Sequence, residues 1–190
     1  MGTYTIFAGV NGAGKTSIYK STYYEQNKDE KRINTDEMVA RIGSWQDNNL
    51  QIKCAREAIK LIKLYISESI SFNQETTLCG KSIISNIDKA KQNGFFIRMN
   101  YIGIESSEIA KERVALRVSK GGHGISNEVI ERRYGESLKN LLNVIEMCNE
   151  IDIYDNTDIF KLIICIKNGE IIWRDKKLPN WAKIIAEICE

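Results

Sequence analysis

The sequence predicts an α/β fold in which helices cover both faces of a mainly parallel sheet. Short apolar segments alternate with segments of helical periodicity along the chain, and this alternation is typical of repeated β-α-β units. Near the end, Asn168-Gly169 separates two strand-like segments, which is the strongest short signal for a tight hairpin. We therefore expect a three-layer fold with a five-stranded, mainly parallel sheet, a C-terminal β-hairpin and a closing helix.

Each element follows from local patterns, taken in chain order. The segment over 52–70 has the clearest helical pattern, because its apolar residues at 52, 55, 59, 62, 66 and 70 are spaced by three and four. The main strands are predicted at 4–8, 32–34, 72–78, 95–102 and 151–154, and the hairpin strands at 162–167 and 170–174. Helices are predicted from about residue 15 and over 52–70, 82–92, 107–119, 126–148 and 181–188. A chain of 190 residues favours one core, so residues 1–190 are predicted to form a single domain.

Charge and composition disfavour several classes of protein. The 27 basic residues nearly balance the 25 acidic ones, so no broad basic field predicts binding to nucleic acid or to an anionic membrane. No segment has the apolar length of a membrane span, and the first residues do not resemble a secretory signal, so we expect a cytoplasmic protein. The five cysteines are odd in number and lack a C-x-x-C pair, which disfavours a disulfide framework and a zinc site.

A glycine-rich loop after the first predicted strand carries the strongest functional signal. Residues 9–16 fit the pattern G-x-x-x-x-G-K-S/T, with a strand before them and a helix-forming segment after them. The glycines allow backbone N–H groups to face phosphate oxygens, Lys15 is expected to reach the β- and γ-phosphates, and Thr16 to coordinate Mg²⁺. The sequence therefore predicts the P-loop NTPase fold. The residues predicted to bind the nucleotide are Gly9, Val10, Asn11, Gly12, Ala13, Gly14, Lys15, Thr16 and Ser17.

The phosphate loop alone does not define the reaction, since motors, transporters, GTPases and kinases share it. The chain lacks an L-S-G-G-Q segment and an apolar run ending in paired Asp-Glu, which disfavours an ABC transporter ATPase. It also lacks an N-K-x-D motif for reading guanine. The short alternating layout favours a kinase that acts on a small molecule.

Three polar residues at the ends of predicted strands are candidates for binding and activating an acceptor. Asp36 follows the second strand at the carboxyl edge of the sheet, where α/β proteins bind ligands, and could accept the proton of an acceptor hydroxyl. The alternative is that Asp36 only caps the next helix. Glu75 and Thr77 lie two residues apart, so on a strand they would share one face and could hold acceptor hydroxyls. A half-exposed strand would show similar residues by chance.

A basic region over about 113–133 is a candidate lid. Arg113, Arg117 and Lys120 are spaced by four and three on a predicted helix, which runs into a glycine-rich loop with His123. Arg132 and Arg133 follow on the next helix, and cations placed in this way could close over a transferring phosphate. The alternative for each arginine is a solvated helix face.

Taken in order, these blocks resemble the zeta toxin family of P-loop kinases, in particular its compact bacterial branch, often labelled as ABC-type ATPases. The matching blocks are Ala8 to Thr16, Asn34 to Glu37, Glu75 to Leu78, Glu112 to Val118 with Gly121 to His123, and Arg132 to Leu138.

The resemblance implies ATP-dependent phosphorylation of a hydroxyl, with UDP-N-acetylglucosamine as the acceptor in the characterised toxins. Asp36 then matches the catalytic base, Glu75 and Thr77 match acceptor-binding positions, and Arg117 matches a phosphate-contacting lid arginine. It also implies Mg²⁺ and a possible antitoxin partner. The chain departs from the pattern at Cys79, where the better-known toxins have arginine, and at His123, which replaces a second lid arginine.

Two other functions stay open at this stage. One is a nucleotide-dependent binding protein in which bound ATP only orders a surface. The other is a polynucleotide-end kinase, which the near-neutral charge does not favour.

Overall fold

The central element is a seven-stranded sheet in the computed structural model, which describes residues 1–189. Its spatial order is β2-β3-β1-β4-β5-β6-β7. The first five strands of that order run parallel, and β6 and β7 are antiparallel. The strands are β1 (Thr3–Ala8), β2 (Lys31–Ile33), β3 (Phe72–Thr76), β4 (Phe96–Gly103), β5 (Glu150–Asp155), β6 (Lys161–Lys167) and β7 (Glu170–Arg174). The predicted fold class is confirmed, with the hairpin at one sheet edge.

Seven α-helices connect and cover the strands of the described chain. They are α1 (Lys15–Ile18), α2 (Thr35–Ile42), α3 (Asn48–Ser67), α4 (Lys81–Gln92), α5 (Ser107–Ser119), α6 (Asn127–Val144) and α7 (Asn180–Cys189). The first helix continues as a π-helical turn over Tyr19–Tyr23 and a 3₁₀ turn over Tyr24–Gln26. No helix within residues 1–189 combines the length and the apolar character needed to cross a membrane.

The predicted boundaries fail where a cap or a special backbone angle decides them. Helix α3 begins earlier than its apolar pattern indicates, because the Asp47 side chain accepts hydrogen bonds from the N–H groups of Asn49 and Leu50. Strand β3 ends at Thr76 rather than at residue 78. Leu78 has a φ of 59°, a left-handed conformation that cannot continue a strand.

The core consists of two apolar layers separated by the sheet. Side chains alternate along β1, so Tyr4, Ile6 and Ala8 face one layer while Phe7 faces the other. Because β1 is the central strand of the parallel part, with β3 and β4 as neighbours, it is buried from Tyr4 to Ala8. The carboxyl ends of β1, β2, β3 and β4 therefore meet at one edge, and this edge carries the candidate site.

Candidate active site

The glycine-rich loop after β1 has a backbone that only glycine accommodates at its tightest points. Gly9 and Gly14 have φ values of 137° and 102°. A Cβ atom on Gly9 would lie 2.2 Å from the carbonyl oxygen of Ile102 in β4, and one on Gly14 would lie 2.6 Å from the Asn156 side-chain nitrogen. The Asn156 amide in turn donates a 2.8 Å hydrogen bond to the carbonyl of Ala13. The loop is thus held between β4 and the segment after β5.

Lys15 is a cation enclosed within this loop. Its side chain is only 8% exposed, and Nζ donates a 3.1 Å hydrogen bond to the Val10 carbonyl. Burial lowers the pKa of Lys15, and the nearby carboxylates of Glu75 and Asp36 oppose that shift. The loop therefore places one ammonium group near the carboxylates of Glu75 in β3 and Asp36 in α2.

Thr16, the predicted magnesium ligand, is oriented by Glu75. The Thr16 hydroxyl donates a 2.8 Å hydrogen bond to Oε1 of Glu75 on β3. The other oxygen, Oε2, accepts hydrogen bonds from Arg32 at 2.7 Å and from the Asn34 amide at 2.9 Å. Both oxygens of Glu75 are therefore engaged by the protein, which the sequence alone did not indicate.

Arg32, which the sequence analysis missed, forms the centre of this network. Its guanidinium binds Glu37 through two 3.0 Å hydrogen bonds and donates a further 3.0 Å hydrogen bond to the Asn73 side chain. Its Cζ atom lies 3.4 Å from the centroid of the Tyr19 ring. An arginine in a three-residue strand with an acidic residue five positions later is a signal that could have identified it, although Asn73 and Glu75 are distant in sequence.

Asp36 lies in the first turn of α2, with its side chain exposed. The helix cap is Asn34, whose side chain accepts hydrogen bonds from the N–H groups of Asp36 and Glu37. The alternative that Asp36 serves as the cap is therefore wrong. Asp36 is close enough to Lys15 and His123 to oppose the burial that lowers the pKa of each.

Thr77 and Cys79 follow β3 in an irregular segment. Because β3 ends at Thr76, strand alternation does not place Thr77 on the face of Glu75, and that argument for the pair is wrong. The Thr77 carbonyl accepts a 3.4 Å hydrogen bond from the Cys79 thiol. Acceptor binding by Glu75 and Thr77 stays a prediction.

Three residues of the predicted lid lie near the glycine-rich loop or near Asp36, since Arg117 influences the pKa of Lys15 and Asp36 influences that of His123. Arg133 donates a 3.0 Å hydrogen bond to the Asn11 side chain within the loop. His123 packs edge-on against Trp45, with 5.1 Å between ring centroids, and burial lowers its pKa. Nε and Nη2 of Arg117 are buried and have no hydrogen-bond partner within residues 1–189.

The other three lid residues have different surroundings, although Arg113 also borders the loop, because a Cβ added to Gly12 would lie 3.3 Å from the Cβ of Arg113. Arg113 donates a 2.7 Å hydrogen bond to the carbonyl of Thr157 after β5, so it fixes α5 to that segment. Arg132 is exposed and forms an ion pair with Glu136 on its own helix. Lys120 is exposed at the end of α5. For Arg132 and Lys120 the structure agrees with the alternative of a solvated helix face.

The residues present fit a triphosphate and a divalent cation. The loop offers glycine backbone where a Cβ would collide, a buried lysine, and a second cation with unsatisfied donors above it. Residues 1–189 contain no cluster of three His, Cys, Asp or Glu side chains that could hold a metal ion alone. A hard cation such as Mg²⁺ suits this arrangement, because it is commonly bound by one or two protein oxygens together with phosphate oxygens.

Comparison with solved structures identifies the fold. A chain of the AvrRxo1-ORF1:AvrRxo1-ORF2 complex crystallised with sulphate ions matches all of this chain with a TM-score of 0.70 and 13% identity. This chain spans 64% of that one. The crystal with ATP gives a TM-score of 0.61. A chain from a structure of the PezAT chromosomal toxin-antitoxin system of Streptococcus pneumoniae also matches, with a TM-score of 0.63 and 13% identity. The match covers 99% of this chain and 78% of the chain from that structure. The chain therefore shares its fold with these proteins.

Comparison of sequences gives a closer relationship. No protein-family model matches the chain. An uncharacterized protein of Haemophilus influenzae (strain ATCC 51907 / DSM 11121 / KW20 / Rd) is 35% identical over 128 residues, which is 67% of this chain and 89% of that protein. The chain belongs to the same family as this H. influenzae protein.

Proposed function

We propose that this protein is an ATP-dependent kinase that transfers the γ-phosphate to a hydroxyl group of a small molecule. The acceptor we propose is a nucleotide sugar such as UDP-N-acetylglucosamine, because the chain resembles the zeta toxins in sequence blocks and in fold. Asp36 and Arg117 would both contact the reacting groups, and Lys15 would contact the phosphates.

The observation that carries the proposal is the pair of unsatisfied nitrogens on Arg117. Two buried guanidinium nitrogens without partners are costly, and a phosphate oxygen is a ligand that satisfies such donors in a charge-assisted way. Arg117 lies close enough to Lys15 to lower the pKa of that lysine further, in addition to the larger effect of burial. Lys15 and Arg117, two cations from different elements, therefore lie near each other, and Asp36 is close to Lys15.

The proposed reaction is direct in-line transfer. The acceptor oxygen forms a bond to the γ-phosphorus while the bond between that phosphorus and the β,γ-bridging oxygen breaks, leaving ADP. The proton of the acceptor hydroxyl passes to the Asp36 carboxylate. Arg117 and Lys15 stabilise the charge on the equatorial and leaving oxygens.

A divalent cation would supply further charge neutralisation when bound, and the protein groups that would hold it are Thr16 and, behind it, Glu75. Because Thr16, Arg32 and Asn34 occupy both oxygens of Glu75, we propose that this carboxylate serves the cation side of the site. Acceptor recognition would then depend on Asp36 and on the segment with Thr77.

The proposal is tested by incubating the protein with Mg²⁺, γ-labelled ATP and a panel of UDP-sugars, nucleosides and oligonucleotides. We expect label on a UDP-sugar, and we expect Asp36→Asn to reduce transfer by about 10²- to 10⁴-fold while ATP affinity is unchanged. Label only on oligonucleotide ends would support the polynucleotide-end kinase instead. Full ATP affinity without transfer to any acceptor would support a nucleotide-dependent binding protein.

A protein partner belongs to the same proposal. The AvrRxo1-ORF1:AvrRxo1-ORF2 complex and the PezAT toxin-antitoxin system are assemblies of two components. By analogy, we propose that a small antitoxin-like protein inhibits this kinase by covering the ATP site. Co-expression with the product of an adjacent gene, followed by ATP titration of the purified complex, would test this: ATP binding should be lost in the complex.

A further inference from the structure

We propose that Arg32 is a positioning residue for the divalent cation, acting through Glu75 on Thr16. This inference rests on the proposed function, because it concerns the cation that accompanies ATP. Arg32 touches neither the phosphate loop nor Asp36 directly, yet it binds Glu75, which orients Thr16, and Glu37, which follows Asp36 in α2. Its effect should therefore appear in cation dependence rather than in nucleotide affinity as such.

The two oxygens of the Glu75 carboxylate have different partners. Oε1 accepts the Thr16 hydroxyl hydrogen, so the lone pairs of that hydroxyl oxygen are left for a cation. Oε2 accepts from Arg32 at 2.7 Å, which fixes the rotation of the carboxylate. If Oε2 lost this partner, only the 2.9 Å hydrogen bond from the Asn34 amide would hold that oxygen, and the Thr16 hydroxyl would be less firmly oriented.

The planar guanidinium of Arg32 allows this one side chain to bind several groups at once. The Glu75 side chain is 12% exposed and that of Arg32 is 10% exposed, so neither charge could stay there without the other at low cost. Arg32 places two N–H groups on Glu37 and one on Asn73 while a further N–H reaches Glu75. A lysine would supply the charge as a single ammonium group and could not hold these groups in one plane.

Arg32 also connects three elements of the site. Tyr19 lies in the π-helical turn that continues the helix carrying Thr16, and its ring contacts the guanidinium face. Glu75 belongs to β3, and Glu37 lies in the first turn of α2 next to Asp36. One side chain thus fixes the relative positions of the three elements that carry the cation ligand, its carboxylate partner and the proposed base.

The experiment measures ATP binding by calorimetry over a range of Mg²⁺ concentrations and in EDTA. For Arg32→Lys we expect the Mg²⁺ concentration that gives half-maximal enhancement of ATP binding to rise by about 10- to 100-fold, as for other residues behind a metal ligand. ATP affinity in EDTA should be unchanged. The control is Arg98→Lys, which alters another Arg–Glu pair of the same sheet, with Glu150, and should not shift the Mg²⁺ dependence.

A second pair of variants keeps the test decisive if Arg32→Lys does not fold. Glu75→Gln should shift the Mg²⁺ dependence, and Arg32→Met combined with Glu75→Gln should shift it no further, because Arg32 acts through Glu75. Additive shifts in the double variant, or an equal loss of ATP affinity with and without Mg²⁺, would overturn the inference. If the wild-type protein bound no ATP at any Mg²⁺ concentration, the proposed function itself would fail.

Discussion

Replacing Arg117 with methionine should stabilise the protein and inactivate it. Nε and Nη2 of this side chain are buried without partners in the described structure, and each unsatisfied donor costs about 1–3 kcal/mol. Methionine keeps an unbranched apolar stem and removes both donors, so the free energy of unfolding should rise by about 2 kcal/mol. For a chain of this length that corresponds to an increase in Tm of about 4–8 °C. Loss of the phosphate contact that we propose for Arg117 in the transition state should lower transfer by about 10²- to 10³-fold.

The two effects are measured on the same preparations, by thermal unfolding without nucleotide and by initial rates with labelled ATP. Arg132→Met is the matched control, because its side chain is 64% exposed and pairs with Glu136 on the helix surface. Exposed pairs of this kind contribute about 0–1 kcal/mol, so the control should change neither Tm nor rate substantially. A lower Tm for Arg117→Met together with an unchanged rate would refute the proposal that this arginine binds a phosphate of the nucleotide.

Three further results are expected. His123 is the only histidine, and burial lowers its pKa, so its NMR signal should titrate below pH 6.5. Since the unfolded chain then binds the proton first, stability should fall as pH decreases from 6.5 to the folded pKa, and less so in His123→Gln. Gly9→Ala should abolish ATP binding and lower Tm, because its Cβ would lie 2.2 Å from a carbonyl oxygen. Gly135→Ala, within α6 and with open space around the added atom, should instead add about 0.5–1 kcal/mol to the unfolding free energy; equal Tm values for the two glycine variants would contradict both arguments. Trp45→Ala should leave ATP affinity in place but increase exchange of the lid amides near His123, and unchanged hydrogen exchange there would contradict the packing seen between the rings.

The fold could be predicted from sequence because its signals are local. The alternation of strands and helices, the hairpin at Asn168-Gly169 and the helix over Ser107–Ser119 each depend on neighbouring residues, and the structure confirms them. The errors occur where the backbone angle or the capping side chain of one residue determines the end of an element, as at Leu78 and Asp47. Apolar periodicity carries no information on either, so the ends of β3 and α3 could not be placed.

The position and the glycine geometry of the loop after β1 could be predicted for the same reason, since its glycines, lysine and threonine are contiguous. The network behind it could not, because Arg32 binds residues at positions 73 and 75, which only β2–β3 pairing brings close to it. The lid arginines show a third situation. Arg117 and Arg132 have equivalent local patterns, and only the packing of α5 and α6 buries one and exposes the other.

The largely enclosed Arg32 side chain and the two buried nitrogens of Arg117 together indicate where the negative charge of a ligand is needed. Arg32 has four hydrogen bonds to carboxylate and amide oxygens, so the sheet side of the site is already neutralised by the protein. Arg117 has no hydrogen bond at its two buried nitrogens, so its positive charge on the lid side is not neutralised there by the protein. A ligand that gains most from this asymmetry carries its charge between Lys15 and Arg117 and presents a neutral group to Asp36. A triphosphate with an alcohol acceptor meets that condition, whereas an anionic acceptor group placed against Asp36 does not.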